Sequence, residues 1–142
     1  TYIRIKGNEK SKYRALDIKT HEYPGFITDL QAPFAVLLTQ AQGQSFVFET
    51  IWENRLGYLE ALNRMGAKTR LLDAHRAAIE GPAALAGKEL ESPDLRAGLA
   101  YIIAALIADG RSVIHNIYSI DRGYEKIEER LRAIGADIKR VS

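Results

Sequence analysis

The chain states nearly the same phrase twice, and this repetition constrains its fold more than any other feature. Thr28-Asp29-Leu30-Gln31-Ala32 opens an apolar run that Glu53-Asn54-Arg55 follows. Pro93-Asp94-Leu95-Arg96-Ala97 opens a second run, followed by Asp121-Arg122-Gly123. The copies close on matching phrases, Arg64-Met65-Gly66-Ala67 and Ala133-Ile134-Gly135-Ala136. Asp29 and Asp94 are 65 residues apart, Arg55 and Arg122 are 67 apart, and Gly66 and Gly135 are 69 apart. A near-constant period means one supersecondary unit used more than once, and the growth by two reads as small insertions in the second copy.

Local patterns give each copy the same order: helix, strand, helix, strand, with an extra strand before it. Tyr2 to Ile5 alternates as a strand does, and Gly7 to Ser11 is a polar turn. Ala15 to Thr20 reads as a strand that Pro24-Gly25 ends. Thr28 with Gln31 three residues on spells a capping box, predicting a helix to about Ala41. Pro33 signals a kink or a later start. Ser45 to Ile51 is rich in strand formers, and Leu56, Leu59, Leu62 and Met65 mark an amphipathic helix that Gly66 stops. Thr69 to Leu72 reads as a strand, and Arg76 to Glu91 as strand with turns at Gly81-Pro82 and Gly87. Ser92 as N-cap and Pro93 at the first helical position then predict a helix to about Asp109. Ser112 to Ile117 is a strand, Tyr124, Ile127, Leu131 and Ile134 set the next helix, and Asp137 to Val141 is the last strand. The units are expected at about 15–81 and 82–142, with 1–14 a strand and hairpin from a preceding unit.

Composition narrows the function classes. The chain has 142 residues, enough for one domain with a real core, and a net charge of +2. The basic stretch from Arg4 to Arg14 includes Glu9 and reads as a solvated hairpin, so no nucleic-acid partner is expected. There is no cysteine, and His21, His75 and His115 share no ligand spacing, so neither a metal nor a cofactor is expected. The longest apolar run, Leu99 to Ala108, is about ten residues, whereas a bilayer span needs ~20, so no membrane is expected. The start at Thr1, in what reads as mid-strand, suggests a piece of something longer.

The repeat places an acid and a base at equivalent points. Asp29 and Asp94 each stand at a helix start, where a carboxylate stabilises the helix dipole or serves as a general base at a cleft rim. Arg55 and Arg122 each follow a strand, and Arg96 is a third. Guanidinium forks at helix starts suit phosphate or carboxylate; the alternative is a local ion pair with Glu53 or Asp121. Trp52 and Tyr118 beside them read as core or ring-packing residues rather than stacking platforms.

Taken together, five phrases resemble the UDP-N-acetylglucosamine 1-carboxyvinyltransferase family of enolpyruvyl transferases. They are Tyr23 to Ala32, Glu49 to Arg55, Arg64 to Ala67, Asp94 to Ala97 and Ile120 to Glu125. The resemblance runs over essentially the whole chain; the shikimate-pathway relative is a poorer match to the Thr28–Gln31 and Asp121–Glu125 phrases. It implies an α/β (α+β) fold of repeated helix–strand units in an inside-out α/β barrel. About two of the three units of the second domain would be present here. It implies a cytoplasmic bacterial enzyme that transfers enolpyruvate from phosphoenolpyruvate to the 3-hydroxyl of UDP-N-acetylglucosamine at the start of peptidoglycan synthesis. By resemblance Asp29 contacts that hydroxyl as its base and Ile51 lies beside the nucleotide sugar, touching it largely through its backbone. Arg55 stands near the sugar, Asp94 and Arg96 line the cleft, and Arg122 reaches phosphoenolpyruvate. The catalytic-loop Cys and the N-terminal Lys-Asn and Arg positions have no counterpart here. This implies a missing N-terminal part and an inactive fragment, or else a non-catalytic binding module. Helices apolar nearly all round, such as Ala32 to Leu38, are then expected to pair in a homodimer or with a partner fragment.

Overall fold

In the computed structural model, residues 13–141 are described, so the expected strand at Tyr2–Ile5 and turn at Gly7–Ser11 lie outside the described residues. Two parallel crossovers organise the described chain. Strand β1 (Ile18–Lys19) leads through a 3₁₀ turn at Thr28–Leu30 and helix α1 (Gln31–Leu38) into β2 (Gly43–Phe48). Strand β2 lies parallel to β1, with Ile18 opposite Val47. After helix α2 (Leu59–Arg64) and strands β3 (Lys68–Leu71) and β4 (Arg76–Gly81), the pattern recurs. Strand β5 (Glu89–Glu91) leads through α3 (Leu95–Ile107) into a parallel β6 (Val113–His115), with Leu90 opposite Ile114. Parallel neighbours need such a helical crossover. The chain ends with α4 (Tyr118–Gly123) and α5 (Ile127–Ala133). The first sheet has order β1-β2-β4-β3; the second holds β5 and β6 alone. This is the mixed α/β architecture expected.

The core forms where α1 packs on α3 and both cover the sheets. Helix α1 is apolar on nearly every side and buries Ala32, Ala35, Val36 and Leu38. The stripe Leu56, Leu59, Leu62 and Met65 is buried throughout, each large side chain contributing about 1.5–3 kcal/mol. In β2, Ser45 and Val47 face inward while Phe46 and Phe48 stay partly exposed, the period-two alternation of a half-covered strand. Gly66 ends α2 in the left-handed region, with φ +109°. Gly98 lets α4 approach α3, because a Cβ there would lie 2.5 Å from Cγ1 of Ile120 and 2.6 Å from Oγ of Ser92.

Several expectations are corrected. The capping box does not form: the Thr28 hydroxyl donates to Glu49 Oε2 (2.8 Å), and α1 starts later, at Gln31. Pro33 then falls in the first turn, where its missing N–H costs nothing. Helix α3 is capped by Asp94 rather than Ser92, its Oδ1 accepting from the amides of Arg96 (2.7 Å) and Ala97 (3.0 Å). The 76–91 stretch divides into strands of two different sheets. The last expected helix starts later than Tyr124, at Ile127, after Lys126 takes a left-handed conformation, φ +47°. Asp137–Val141 forms no strand; Arg140 turns onto the Asp121 and Glu128 carboxylates instead. Trp52 and Tyr118 are not core residues: they are 54% and 73% exposed.

Candidate functional site

The site is organised by a residue to which sequence reasoning assigned no role. Glu49 leaves the end of β2 fully buried. A buried carboxylate is costly unless its oxygens are met by donors. Oε1 accepts from the Thr20 hydroxyl (2.9 Å) and the amides of Ile51 (2.9 Å) and Trp52 (3.2 Å). Oε2 accepts from the Thr28 hydroxyl. One side chain thus ties together the loop after β2 and the turn before α1. Ile51 is on the first and Asp29 on the second. Glu49 thus fixes the backbone at Ile51 through its amide.

Asp29 stands beyond its neighbour's hydrogen bond, on the exposed side of the 3₁₀ turn. Its Oδ1 accepts from Nε of Arg96, which α3 brings from the other copy of the repeat. The Asp29 side chain is 57% exposed and that of Arg96 29%, so the pair sits at a surface edge. Asp94, the counterpart of Asp29, is committed to the α3 cap. Close by, burial raises the pKa of Tyr124 and the Asp29 charge raises it further, with Arg96 opposing. Tyr124 follows α4, so the end of that helix faces the Asp29–Arg96 pair. Arg122, within α4, is exposed and has no ion-pair partner among the described residues, because Asp121 pairs with Arg140.

Behind this edge lies a cavity of about 390 Å³ between the starts of α1, α2 and α3. It brings together Arg55, Asp94 and Arg96; Asp29, Ile51 and Arg122 are not in its lining. Arg55 does not pair with Glu53. Its guanidinium lies over the Trp52 ring, 5.4 Å from the centroid, in a cation–π contact. The cavity wall also carries Gln31, Tyr58 and Tyr101, all buried. Burial drives the Tyr58 phenol far above its ordinary pKa, aided by the charge of Glu49 and by Tyr101. The Gln31 amide lies beside that phenol and slightly favours its ionised form, without reaching hydrogen-bond geometry. Tyr58 is therefore a neutral O–H donor at any working pH.

The arrangement can orient an acidic group, Asp29, beside cations. It also offers donors to an oxygen-rich ligand. Among the described residues no group of three His, Asp or Glu side chains could hold a metal ion. Gln31 and Tyr58 were missed for a physical reason. A Gln in an apolar helix also fits a cap, and a Tyr among leucines also fits a core. The available signal was an amide or phenol placed on a stripe that is otherwise wholly apolar.

Comparison with known proteins gives a consistent result. The sequence profile described as EPSP synthase (3-phosphoshikimate 1-carboxyvinyltransferase) matches residues 1–131. A UDP-N-acetylglucosamine 1-carboxyvinyltransferase of Halothermothrix orenii is 51% identical over 98% of this chain, and of that relative 32% is covered. One from Carboxydothermus hydrogenoformans is 52% identical over 99% of the chain and 33% of the relative. The chain therefore spans about a third of the length of the curated relatives it matches. Among solved structures, the enolpyruvyl transferase NikO from Streptomyces tendae superposes with a TM-score of 0.81 at 31% identity, over 89% of this chain and 29% of its own. EPSP synthase from Acinetobacter baumannii shares the fold with a TM-score of 0.68 at 21% identity, over 78% of this chain and 27% of its own.

Proposed function

The chain belongs to the EPSP synthase family of enolpyruvyl transferases, and from that premise we propose that it is the C-terminal part of a UDP-N-acetylglucosamine 1-carboxyvinyltransferase. The observation that carries this reading is near-50% identity over almost the whole chain to relatives of that name. The complete protein transfers enolpyruvate from phosphoenolpyruvate to the sugar 3-hydroxyl, releasing phosphate, in the bacterial cytoplasm. The units run over about 15–81 and 82–142.

Asp29 takes the proton as the hydroxyl oxygen attacks C2 of phosphoenolpyruvate, a general-base contribution of ~10²–10⁴-fold, while C3 takes a proton from a donor outside this chain. Loss of a C3 proton with cleavage of the C2–O bond to phosphate then restores the double bond. Arg96 orients that carboxylate through the bond it donates to Oδ1. Asp94 caps the helix turn that carries Arg96, which makes it a positioning residue. The Ile51 carbonyl accepts from the nucleotide sugar, and Arg55 stands near the sugar. Arg122 meets the developing charge of the departing phosphate, where a preplaced cation is most effective.

This chain alone turns over nothing, because the opposite wall of the cleft belongs to residues outside it. Leu37, Leu106 and Ile107, exposed toward the ends of α1 and α3, pack against the remainder of the complete protein or, in the isolated chain, against a second copy. The test is phosphate release from phosphoenolpyruvate, with UDP-N-acetylglucosamine or 3-phosphoshikimate as acceptor. The complete protein should release phosphate with the nucleotide sugar only, and the isolated chain with neither. Turnover by the chain alone, or acceptance of 3-phosphoshikimate, would overturn the reading. A clean monomer in light scattering would remove the second copy.

A further inference from the structure

The fold alone does not call for a buried carboxylate at Glu49. The second copy of the repeat builds the same strand–helix–strand crossover with Asn116 in the corresponding place, six residues before its Arg. The Asn116 amide reaches one carbonyl, that of Ser92. Glu49 also has no ion-pair partner among the described residues, although it is 0% exposed and a buried charge is costly to desolvate.

What Glu49 gathers instead is two segments of the site. The Thr20 hydroxyl that donates to Oε1 accepts in turn from the amide of Thr50 (2.8 Å), and the amides of Ile51 and Trp52 go to Oε1 directly. Three successive amides of the loop after β2 are therefore held around one oxygen. Oε2 serves the other segment, through the hydroxyl of Thr28 beside Asp29. The backbone of Glu49 is itself anchored. Its amide donates to the His75 carbonyl (2.8 Å), and its carbonyl lies 2.9 Å from His75 Nδ1.

We propose that Glu49 is a positioning residue of the transfer reaction, a buried buckle that sets the Asp29 turn against the Ile51 loop without touching substrate. This rests on the proposed function and deepens it. A displacement of about 1 Å at a reacting group can cost about 10²-fold in rate, so holding both segments matters as much as a direct contact. The hydrogen bonds of Glu49 do not reach α4, which carries Arg122, so the phosphoenolpyruvate end should be indifferent to it.

The test is steady-state kinetics of the complete protein, with hydrogen exchange at the Ile51 and Trp52 amides as a readout that needs no turnover. Acceptor choice by the parent tests the enzymatic reading, whereas the ratio of variant to parent tests this proposal, so the two fail separately. Glu49→Leu should lower kcat about 10–100-fold and raise KM for the nucleotide sugar at least about fivefold, with KM for phosphoenolpyruvate within about twofold. It should also speed exchange of the two amides at least about tenfold. Glu49→Gln keeps the connections, because its carbonyl can hold the three Oε1 donors while its amide donates to the Thr28 hydroxyl oxygen. It should stay within about threefold of the parent in every measure. Thr28→Val cuts the Asp29 arm alone and should lower kcat about tenfold without changing exchange at Ile51 and Trp52, and Thr28→Ser should restore it. That pair decides the matter if Glu49→Leu does not fold. Both KM values rising together would mean general loosening and overturn the proposal. So would Glu49→Gln as impaired as Glu49→Leu, or Thr28→Val with the kcat of the parent.

Discussion

The two halves of the molecule begin from the same phrase and put it to different uses. In the first half, Thr28 is tied back to the buried Glu49, the helix starts two residues after Asp29, and the Asp29 carboxylate is left to reach Arg96. In the second half, the counterpart of Thr28 is Pro93, which has no hydroxyl to donate. The counterpart of Glu49, at the same spacing from its Arg, is Asn116. Its amide donates to the Ser92 carbonyl (2.9 Å) instead of gathering donors. Helix α3 therefore starts directly at Asp94, which is consumed as its cap. With these two positions altered, the repeated Asp caps a helix in one half and pairs with Arg96 in the other. Burial follows the same divide. α2 is sunk in the core, whereas α5 has no buried residue and Ile134 is 82% exposed.

That contrast can be broken by experiment, beginning with packing. Leu62→Ala in α2 should cost about 2–5 kcal/mol in denaturant unfolding. Leu131→Ala in the half-buried α5 should cost under about 1 kcal/mol. Equal losses would mean that the halves are equally cored. Glu49→Leu strands two hydroxyls and two amides and should cost about 3 kcal/mol, whereas Asn116→Leu should cost about 1 kcal/mol.

The paired acids sharpen the comparison next. Asp94→Ala should destabilise by about 1 kcal/mol through loss of the cap. Asp29→Ala should change stability by no more than about 0.5 kcal/mol, since its ion pair is at the surface. In the complete protein the order should reverse, with Asp29→Ala lowering kcat about 10²–10⁴-fold. Loss of stability at Asp29 equal to that at Asp94 would erase the division of labour.

The smallest effect is electrostatic and belongs to the second half. Hydrogen bonds from Arg140 hold Asp121 below the usual carboxylate range and bring Glu128 from 4.5 down to about 2. Folded-state values below the unfolded ones contribute stability above pH 4.5 that is lost as pH falls toward about 2. Arg140→Ala should flatten the acid limb of a stability–pH curve by slightly lowering stability above pH 4.5, while leaving stability near pH 2 nearly unchanged. An unaltered acid limb would remove the network from the account.

Much of this was legible beforehand where a pattern has one physical solution. The apolar stripe from Leu56 to Met65 reads as one face of a helix, and all four side chains are buried, although the helix itself spans only Leu59–Arg64. Gly66 and Gly135 stop their helices in the left-handed region. Legibility failed where one residue had two partners to choose from. Thr28 could cap its own helix or reach a carboxylate 21 positions away, and only the packing of β2 against α1 put Glu49 there to win. Trp52 carries the hydrophobicity of a core residue, yet it is left outside with a guanidinium on its face.

By itself the sequence determined the α/β class, the repeat and the places of its acids and bases, because periodicity and helix stops act over a few residues. Tertiary structure decided which Asp caps a helix and which pairs with Arg96, and it gathered Gln31, Arg55 and Tyr58 around one cavity. Those outcomes depend on donors and acceptors brought together from distant segments. Their competition is settled by burial, which no local spacing records.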